Sequence, residues 1–270
     1  ATDPGDRPYL WLKYNPLFGD RAEWDGLSFE LTDRRTLSVN VASGNLHVRE
    51  LDVELSGRAG LDATVVRTYN SRWETTSAGG TGTFADSGLS WQVLNTAGVR
   101  LETTPSGDRL LIADSQLLFS YLDGTDWHAP PGTDWQLSTV AGGAHELTDL
   151  RSGAVWHFSA AGLLNAVADR HGNTISYGYT GGEVTSMTDT RGRTTTFGYT
   201  TTSGETVVDT VTDPGSRQVD YDYTGVHLTS VTDADGQTTG YTYGTSSFCL
   251  EGIEDAEGNQ MSADGSQNTN

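Results

Sequence analysis

Cysteine is almost absent from this 270-residue chain: Cys249 stands alone. A single thiol excludes an internal disulfide and a thiolate metal cage, and by itself it reads as a small buried hydrophobe. Lysine is as scarce. Of the 16 basic residues only Lys13 is a lysine, against 36 acids and a net charge of −20. Phosphate backbones and anionic lipid surfaces repel such a chain, so no nucleic-acid partner is expected. No run approaches the ~18 apolar residues of a membrane span, so no membrane insertion is expected either. Proline is limited to 7 residues, and the 33 glycines follow no G-x-y period, which excludes collagen. Ala1 to Gly5 has neither the basic nor the apolar part of a secretory leader, and no N-x-S/T acceptor occurs. Helical periodicity longer than about two turns is missing.

What is present is aromatic and periodic. Seven Trp, 11 Tyr and 7 Phe argue for a folded core rather than a disordered chain. The second half repeats. Asp169, Asp189, Asp213, Asp233 and Asp255 are spaced by 20, 24, 20 and 22 residues. Aromatics follow four of them at +8 and +10: Tyr177 and Tyr179, Phe197 and Tyr199, Tyr221 and Tyr223, Tyr241 and Tyr243. Glycine stands at +3 in four units, as Gly172, Gly192, Gly236 and Gly258, and at +2 in the third, as Pro214-Gly215. An apolar-x-x-apolar-x-Asp ending precedes the next aspartate, as in Val184 to Asp189 and Leu228 to Asp233. A looser unit runs from Asp149 to Asp169, with Trp156 and Phe158 at +7 and +9.

Asp-x-x-Gly is turn chemistry: the carboxylate accepts from nearby backbone N–H groups, and Gly supplies a positive φ. The Thr-, Val- and Tyr-rich segment that follows alternates as a strand, and aromatics two residues apart share one of its faces. A short loop such as Thr180-Gly181-Gly182-Glu183 turns the chain back, and the apolar-x-x-apolar segment is the return strand. Each unit is a β-hairpin that cannot bury its aromatic face alone, so neighbours must pair edge to edge.

The first half is also β. Leu37, Val39 and Val41 alternate with polar residues, as do Leu51, Val53 and Leu55, with Ser43-Gly44-Asn45 as the turn between. Val65–Tyr69, Val99–Thr103, Arg109–Ile112 and Leu117–Leu122 read as further strands, separated by loops at Ser77–Thr83 and Ala129–Asp134. The expected organisation is an extended segment over 1–30, an irregular β region over 31–148, repeat hairpins over 149–261 and a disordered tail over 262–270. Within the first of these, Trp11 to Trp24 is expected to pack over a sheet edge. The fold class is all-β: an antiparallel sheet of tandem hairpins winding as an open spiral or partial shell.

These units resemble the YD repeats of the Rhs/YD-repeat superfamily; "DRHGNTISYGYTGGEVTSMTD" and "DADGQTTGYTYG" carry the likeness. The segments Leu31–Leu55, Gly60–Ser71 and Ser87–Trp91 resemble, in order, the region preceding the repeats in that family. The resemblance covers roughly Leu31 to Gly258. It implies a large β-sheet wound into a spiral, which in long bacterial members closes around a toxin and in animal relatives serves adhesion. The family's self-cleaving D-P-x-G-L motif is missing; Asp213-Pro214-Gly215-Ser216 matches it only in part.

The implied role is structural and non-enzymatic, in a bacterial secreted or cell-surface protein. Expected partners are further YD-repeat segments, another copy of the chain, an enclosed toxin cargo, or a cell-surface glycan or protein. Other chemistries are thinly supported. The histidines His47, His128, His145, His157, His171 and His227 show no ligand spacing and read as scattered surface or loop residues. There is no G-x-S-x-G elbow, and Gly79–Thr83 lacks the lysine of a phosphate loop. Chance pairing among so many acids makes glycosidase carboxylates uninformative. Asp233, Asp235, Asp255 and Glu257 resemble fragments of calcium loops but lack the distal Glu. Trp73, Trp91, Trp127, Trp135 and Trp156 read as core anchors, or as exposed platforms for sugar rings.

Overall fold

The computed structural model describes residues 26–41, 44–71, 91–94, 99–104, 107, 109–112, 116–123, 126–129, 132–244 and 249–262. The segment Trp11–Trp24, Trp73, the Ser77–Thr83 loop and the tail beyond residue 262 lie outside the described residues. Two antiparallel sheets account for the rest. The first has five strands in chain order: β1 (Gly26–Glu30), β2 (Arg35–Asn40), β3 (Asn45–Leu55), β4 (Ala63–Asn70) and β5 (Trp91–Leu94). The second is a long strip in which each strand pairs with the next. It begins with β6 (Arg100–Thr103), β7 (Arg109–Ile112), β8 (Gln116–Asp123), β9 (Asp126–His128), β10 (Trp135–Thr139) and β11 (His145–Asp149). The repeats follow as β12 (Val155–Phe158), β13 (Leu164–Ala168), β14 (Thr174–Thr180), β15 (Glu183–Thr188), β16 (Thr194–Thr202) and β17 (Glu205–Thr212). They end with β18 (Gln218–Thr224), β19 (His227–Thr232), β20 (Thr238–Tyr243), β21 (Leu250–Glu254) and β22 (Gln260–Ser262).

The three-residue spacing of the apolar pairs has a structural cause. A regular strand buries every second residue, so Val184 and Met187 could not both face inward. In the structure the register slips: Tyr177 pairs with Met187 and Gly178 with Ser186, but Tyr179 pairs with Val184, leaving Thr185 as an extra residue. That β-bulge turns both apolar residues to the core. It recurs between β16 and β17, β18 and β19, and β20 and β21. It also occurs between β12 and β13, where Trp156 pairs with Val167 and Phe158 with Leu164. The unit from Asp149 to Asp169 is therefore a hairpin of the same design, with a turn one residue longer: Gly153 N–H, rather than a +3 residue, donates to the Asp149 carbonyl.

In the first two units the residue between the aromatics is a glycine, Gly178 or Gly198, packed close to its cross-strand partner, whereas Asp222 and Thr242 hold that place in the next two, Thr242 opposite Gly252. A Cβ on Gly178 would sit 2.5 Å from Ser186 Oγ across the strand pair. The Asp turns close alike, with the +3 N–H donating to the Asp carbonyl at 3.0 Å for Gly172, Gly192, Gly236 and Gly258. In the third unit the residue in that position is Ser216, at φ +65°, and not the glycine of Pro214-Gly215. An L-residue in the left-handed region costs about 1–2 kcal/mol, and glycine loses part of that advantage through its freer unfolded state. Ser216→Gly is expected to stabilise the protein by about 0.5–1 kcal/mol, read as a higher urea midpoint.

The strands fan out from the Asp turns. Across each such turn the ladder holds only three residue pairs, as in Ala168–Thr174, Val167–Ile175 and Ala166–Ser176. Beyond them a tyrosine hydroxyl spans the widening gap. Tyr179 donates to the Leu164 carbonyl at 2.8 Å, Tyr199 to Val184 at 2.8 Å, Tyr223 to Val208 at 2.8 Å and Tyr243 to Leu228 at 2.6 Å. Each bond reaches back 15 residues. The +10 tyrosine thus satisfies a carbonyl that the diverging ladder leaves unpaired, and its ring packs against the core beside the buried +8 aromatic. Strands that diverge on one side must wind. The strip curls until β6 meets the β12–β13 turn: Arg100 bridges Leu163, and Leu101 N–H donates to the Gly162 carbonyl at 2.9 Å, closing the ring.

The first sheet presents Leu37, Val48, Val65, Tyr69 and Trp91 to the core. Its second face departs from the expected polar-out alternation. Ser38 and Asn40, between the apolar residues of β2, are buried, as are His47, Thr68 and Asn70, while Val41, just past the strand, is exposed. Both faces are covered, so apolar alternation no longer marks the buried side. Cys249 is exposed rather than buried, because it lies in the connection before β21 and not on a strand face.

Candidate functional site

The two sheets meet through a buried charge cluster. On β4, Val65, Arg67 and Tyr69 alternate onto one face, so a guanidinium occupies a core position. On β3, Glu50 lies directly opposite Arg67, and Asp52 is the residue left over where the register slips between Leu51 and Val53. Arg67 Nη2 meets Glu50 Oε2 at 2.6 Å and Nε meets Asp52 Oδ2 at 2.8 Å. The wall supplies the rest. Tyr221 donates to Asp52 Oδ2 at 2.7 Å, and Tyr241 donates to Glu50 Oε2 at 2.7 Å and accepts from Arg67 Nη1 at 2.7 Å. Arg35 pairs with Glu50 at 2.9 Å and reaches Thr239 Oγ1 of β20 at 3.1 Å. The guanidinium is boxed by the rings of Trp91, Tyr241 and Tyr221 at 5.4, 5.5 and 5.7 Å.

Electrostatics divides the two acids. Burial would raise the Glu50 carboxyl, but Arg67 and Arg35 together hold it below the ordinary range. Burial also raises Asp52, and Arg67 opposes this without cancelling it, with the Glu50 charge adding to the rise. Burial pushes the Tyr221 and Tyr241 hydroxyls well up, so both remain donors. Further contacts complete the seam. Trp91 Nε1 donates to Tyr243 Oη at 2.9 Å, and Leu250 N–H to Tyr69 Oη at 2.9 Å. At the rim, Arg193 donates to the Ser56 carbonyl at 2.9 Å and Arg58 N–H to Thr190 Oγ1 at 2.7 Å. The first sheet is therefore bolted to the inner face of the strip by units two to four.

The repeat aspartates, by contrast, are turn builders. Oδ1 of Asp169, Asp189, Asp213, Asp233 and Asp255 accepts the N–H groups of the +2 and +4 residues. Oδ2 accepts the +4 side chain in four of them: Asn173, Arg193, Arg217 and Asn259. The calcium candidates Asp233 and Asp255 thus point their Oδ1 atoms at N–H donors, which repel a cation. Asp235 and Glu257 contribute N–H groups to those same turns. Among the described residues no group of three or more His, Cys, Asp or Glu side chains is placed to hold a metal ion.

For Asp169 and Asp255 the amides of Asn173 and Asn259 are the largest cause of a lowered pKa. For Asp189 and Asp213 burial works upward, but the turn N–H groups and Arg193 or Arg217 outweigh it, so these carboxyls also lie below the ordinary value. A depressed native pKa stabilises the fold above the unfolded value near ~4, and that contribution is lost as pH falls through the native values. The urea midpoint is expected to fall between about pH 5 and about pH 2.5, with a shallower slope in Asp213→Asn.

The tryptophans and histidines are sorted by the fold. Trp91 is fully buried, and Trp127, Trp135 and Trp156 pack against the core, Trp135 and Trp156 edge to face at 5.1 Å. His47 and His145 are buried strand residues, against the expectation of surface or loop positions; both lie in strands covered on the relevant face. Sequence reasoning missed Glu50, Asp52 and Arg67. The available signal was their alternation with Val48, Val65 and Tyr69, which places charge on a core face.

Residues 37–110 match a protein family described as a domain of unknown function, DUF6531. The match spans β2 to β5 and the start of the strip. No curated protein matches the chain.

Proposed function

We propose that this chain is a non-enzymatic part of a YD-repeat shell of the Rhs kind, built to enclose or present a toxin or other cargo in a bacterial secreted or cell-surface protein. The observation that carries this reading is the wall itself. Bulged hairpins repeat with the same tyrosine-to-carbonyl bond, reaching back 15 residues each time, and a separate sheet is seated on their concave face. A fanning wall with a separate sheet seated on its inner side supports the reading of a container. Its polar side chains at the seam are engaged with one another, as a joint requires. The test is the native polypeptide from its source. A product well above 28.9 kDa, carrying a co-purifying or fused segment that resists protease until the shell is unfolded, is expected. A product of this mass with no protected segment overturns the enclosure.

A second reading, self-assembly through open edges, has one observation in its favour. β1 has a strand neighbour on one side only among the described residues, and its Leu27 and Phe29 are 56 % and 52 % exposed. Light scattering that stays monomeric at high concentration would remove it. A glycan-binding surface draws less support, since the described tryptophans pack inward.

A further inference from the structure

Arg109 sits on the same face of β7 as the buried Leu111, so it points into the coil formed by the first strands of the strip. Trp127 of β9 and His145 of β11 reach it from strands that are not its neighbours, because the strip curls. The guanidinium carbon lies 5.4 Å from the Trp127 ring, and Arg109 Nε donates to His145 Nε2 at 2.6 Å. Trp127 is itself fixed by donating to Thr139 Oγ1 at 3.2 Å.

The protonation pattern follows from that geometry. Arginine can only donate, so His145 Nε2 accepts and the imidazole is neutral, with its proton on Nδ1. Nδ1 is buried and faces the Ala144 carbonyl without a full hydrogen bond. Burial acts to lower the Arg109 pKa, and among the residues whose side chains are described no carboxylate is paired with it. Compare Arg67, which has two acids, or Arg193 and Arg217, which each hold an aspartate. Arg109 is a half-buried cation held by an aromatic shelf and a neutral imidazole, and among the residues whose side chains are described none bonds its terminal nitrogens.

We infer that Arg109, held by Trp127 and His145, is a binding site for a carboxylate. The planar fork matches a carboxylate in bidentate fashion. The single positive charge matches a monoanion, whereas a phosphate dianion would bring an uncompensated charge into a half-buried site. A small molecule and an acidic side chain of a peptide lying in the coil are two sources of that carboxylate, and the experiment separates them.

The experiment uses the full chain with ring-labelled histidine. Acetate is titrated to about 50 mM at neutral pH, against sodium chloride at equal ionic strength, while the His145 ring signals and the melting temperature are followed. Saturable movement of the His145 signals with acetate and not chloride is expected, with a Kd of about 1–10 mM. Arg109→Gln should weaken binding at least about tenfold. A capped peptide containing one glutamate binding tighter than acetate would assign the site to a polypeptide ligand; equal binding would assign it to a free carboxylate. No acetate-specific movement in the wild-type protein overturns the proposal, as does an unchanged response in a folded Arg109→Gln variant. If that variant does not fold, Arg109→Lys, which keeps the charge but loses the fork, is expected to weaken binding as well, and full binding by it overturns the bidentate assignment.

Discussion

Arg67→Met is expected to cost about 3–5 kcal/mol, enough to undock the first sheet from the wall. The magnitude comes from what is left behind. Glu50 and Asp52 are both buried, and each holds a close contact to the same guanidinium. Without it, two carboxylates lie side by side on one face of β3 with only Arg35 and two tyrosine hydroxyls to compensate. Removing one partner of a buried ion cluster is costly because the remaining charge stays desolvated, whereas removing the whole cluster is often nearly neutral. The control is therefore the triple variant Arg67→Met, Glu50→Gln, Asp52→Asn, which keeps acceptors for Tyr221 and Tyr241. Urea unfolding followed by tryptophan fluorescence should show the triple variant recovering at least about half of the loss. If it is as unstable as Arg67→Met, packing against Trp91 and the tyrosine rings, and not charge, holds the sheets together.

The same cluster shows where sequence reading stops. The hairpins were legible because their determinants are local. Asp-x-x-Gly makes the turn, alternating Thr and Tyr make the strand, and the spacing of about 20 residues repeats the two. The bulge was written in the same residues, in the three-residue spacing of pairs such as Val184 and Met187, but that spacing only becomes informative once period two is taken as obligatory for a strand. The Ser216 turn was misread for a related reason: Gly215 is a glycine one residue from where the positive φ falls. The seam was of another kind. Tyr221 and Asp52 are separated by 169 residues, and Tyr241 and Glu50 by 191. No local pattern fixes which repeat unit a distant strand will meet. Position +8 carries only part of it: Tyr221 and Tyr241 receive the acids of β3 and Phe197 has no hydroxyl to offer, but Tyr177 has one too, so the hydroxyl alone does not mark the docking units.

Replacing Tyr221 and Tyr223 together by serine is expected to unfold the repeat region around β17–β19. Truncating a buried aromatic costs about 3–5 kcal/mol, and two neighbours on one strand lose contacts in common, so the pair costs less than twice that yet approaches the whole stability of a domain. The phenylalanine variants separate the two roles. Tyr223→Phe keeps the ring and loses the bond to the Val208 carbonyl, leaving a buried acceptor unpaired at a cost of about 1–3 kcal/mol. Tyr221→Phe removes a donor from a buried carboxylate, so it should weaken the docking of the first sheet while leaving the wall intact. Hydrogen exchange distinguishes them: Tyr223→Phe should expose amides where β17 and β18 diverge, and Tyr221→Phe those of β3 and β4. Should both variants expose the same strands, the wall and the inner sheet fold as one cooperative unit, and the plug is then part of what keeps the coil wound.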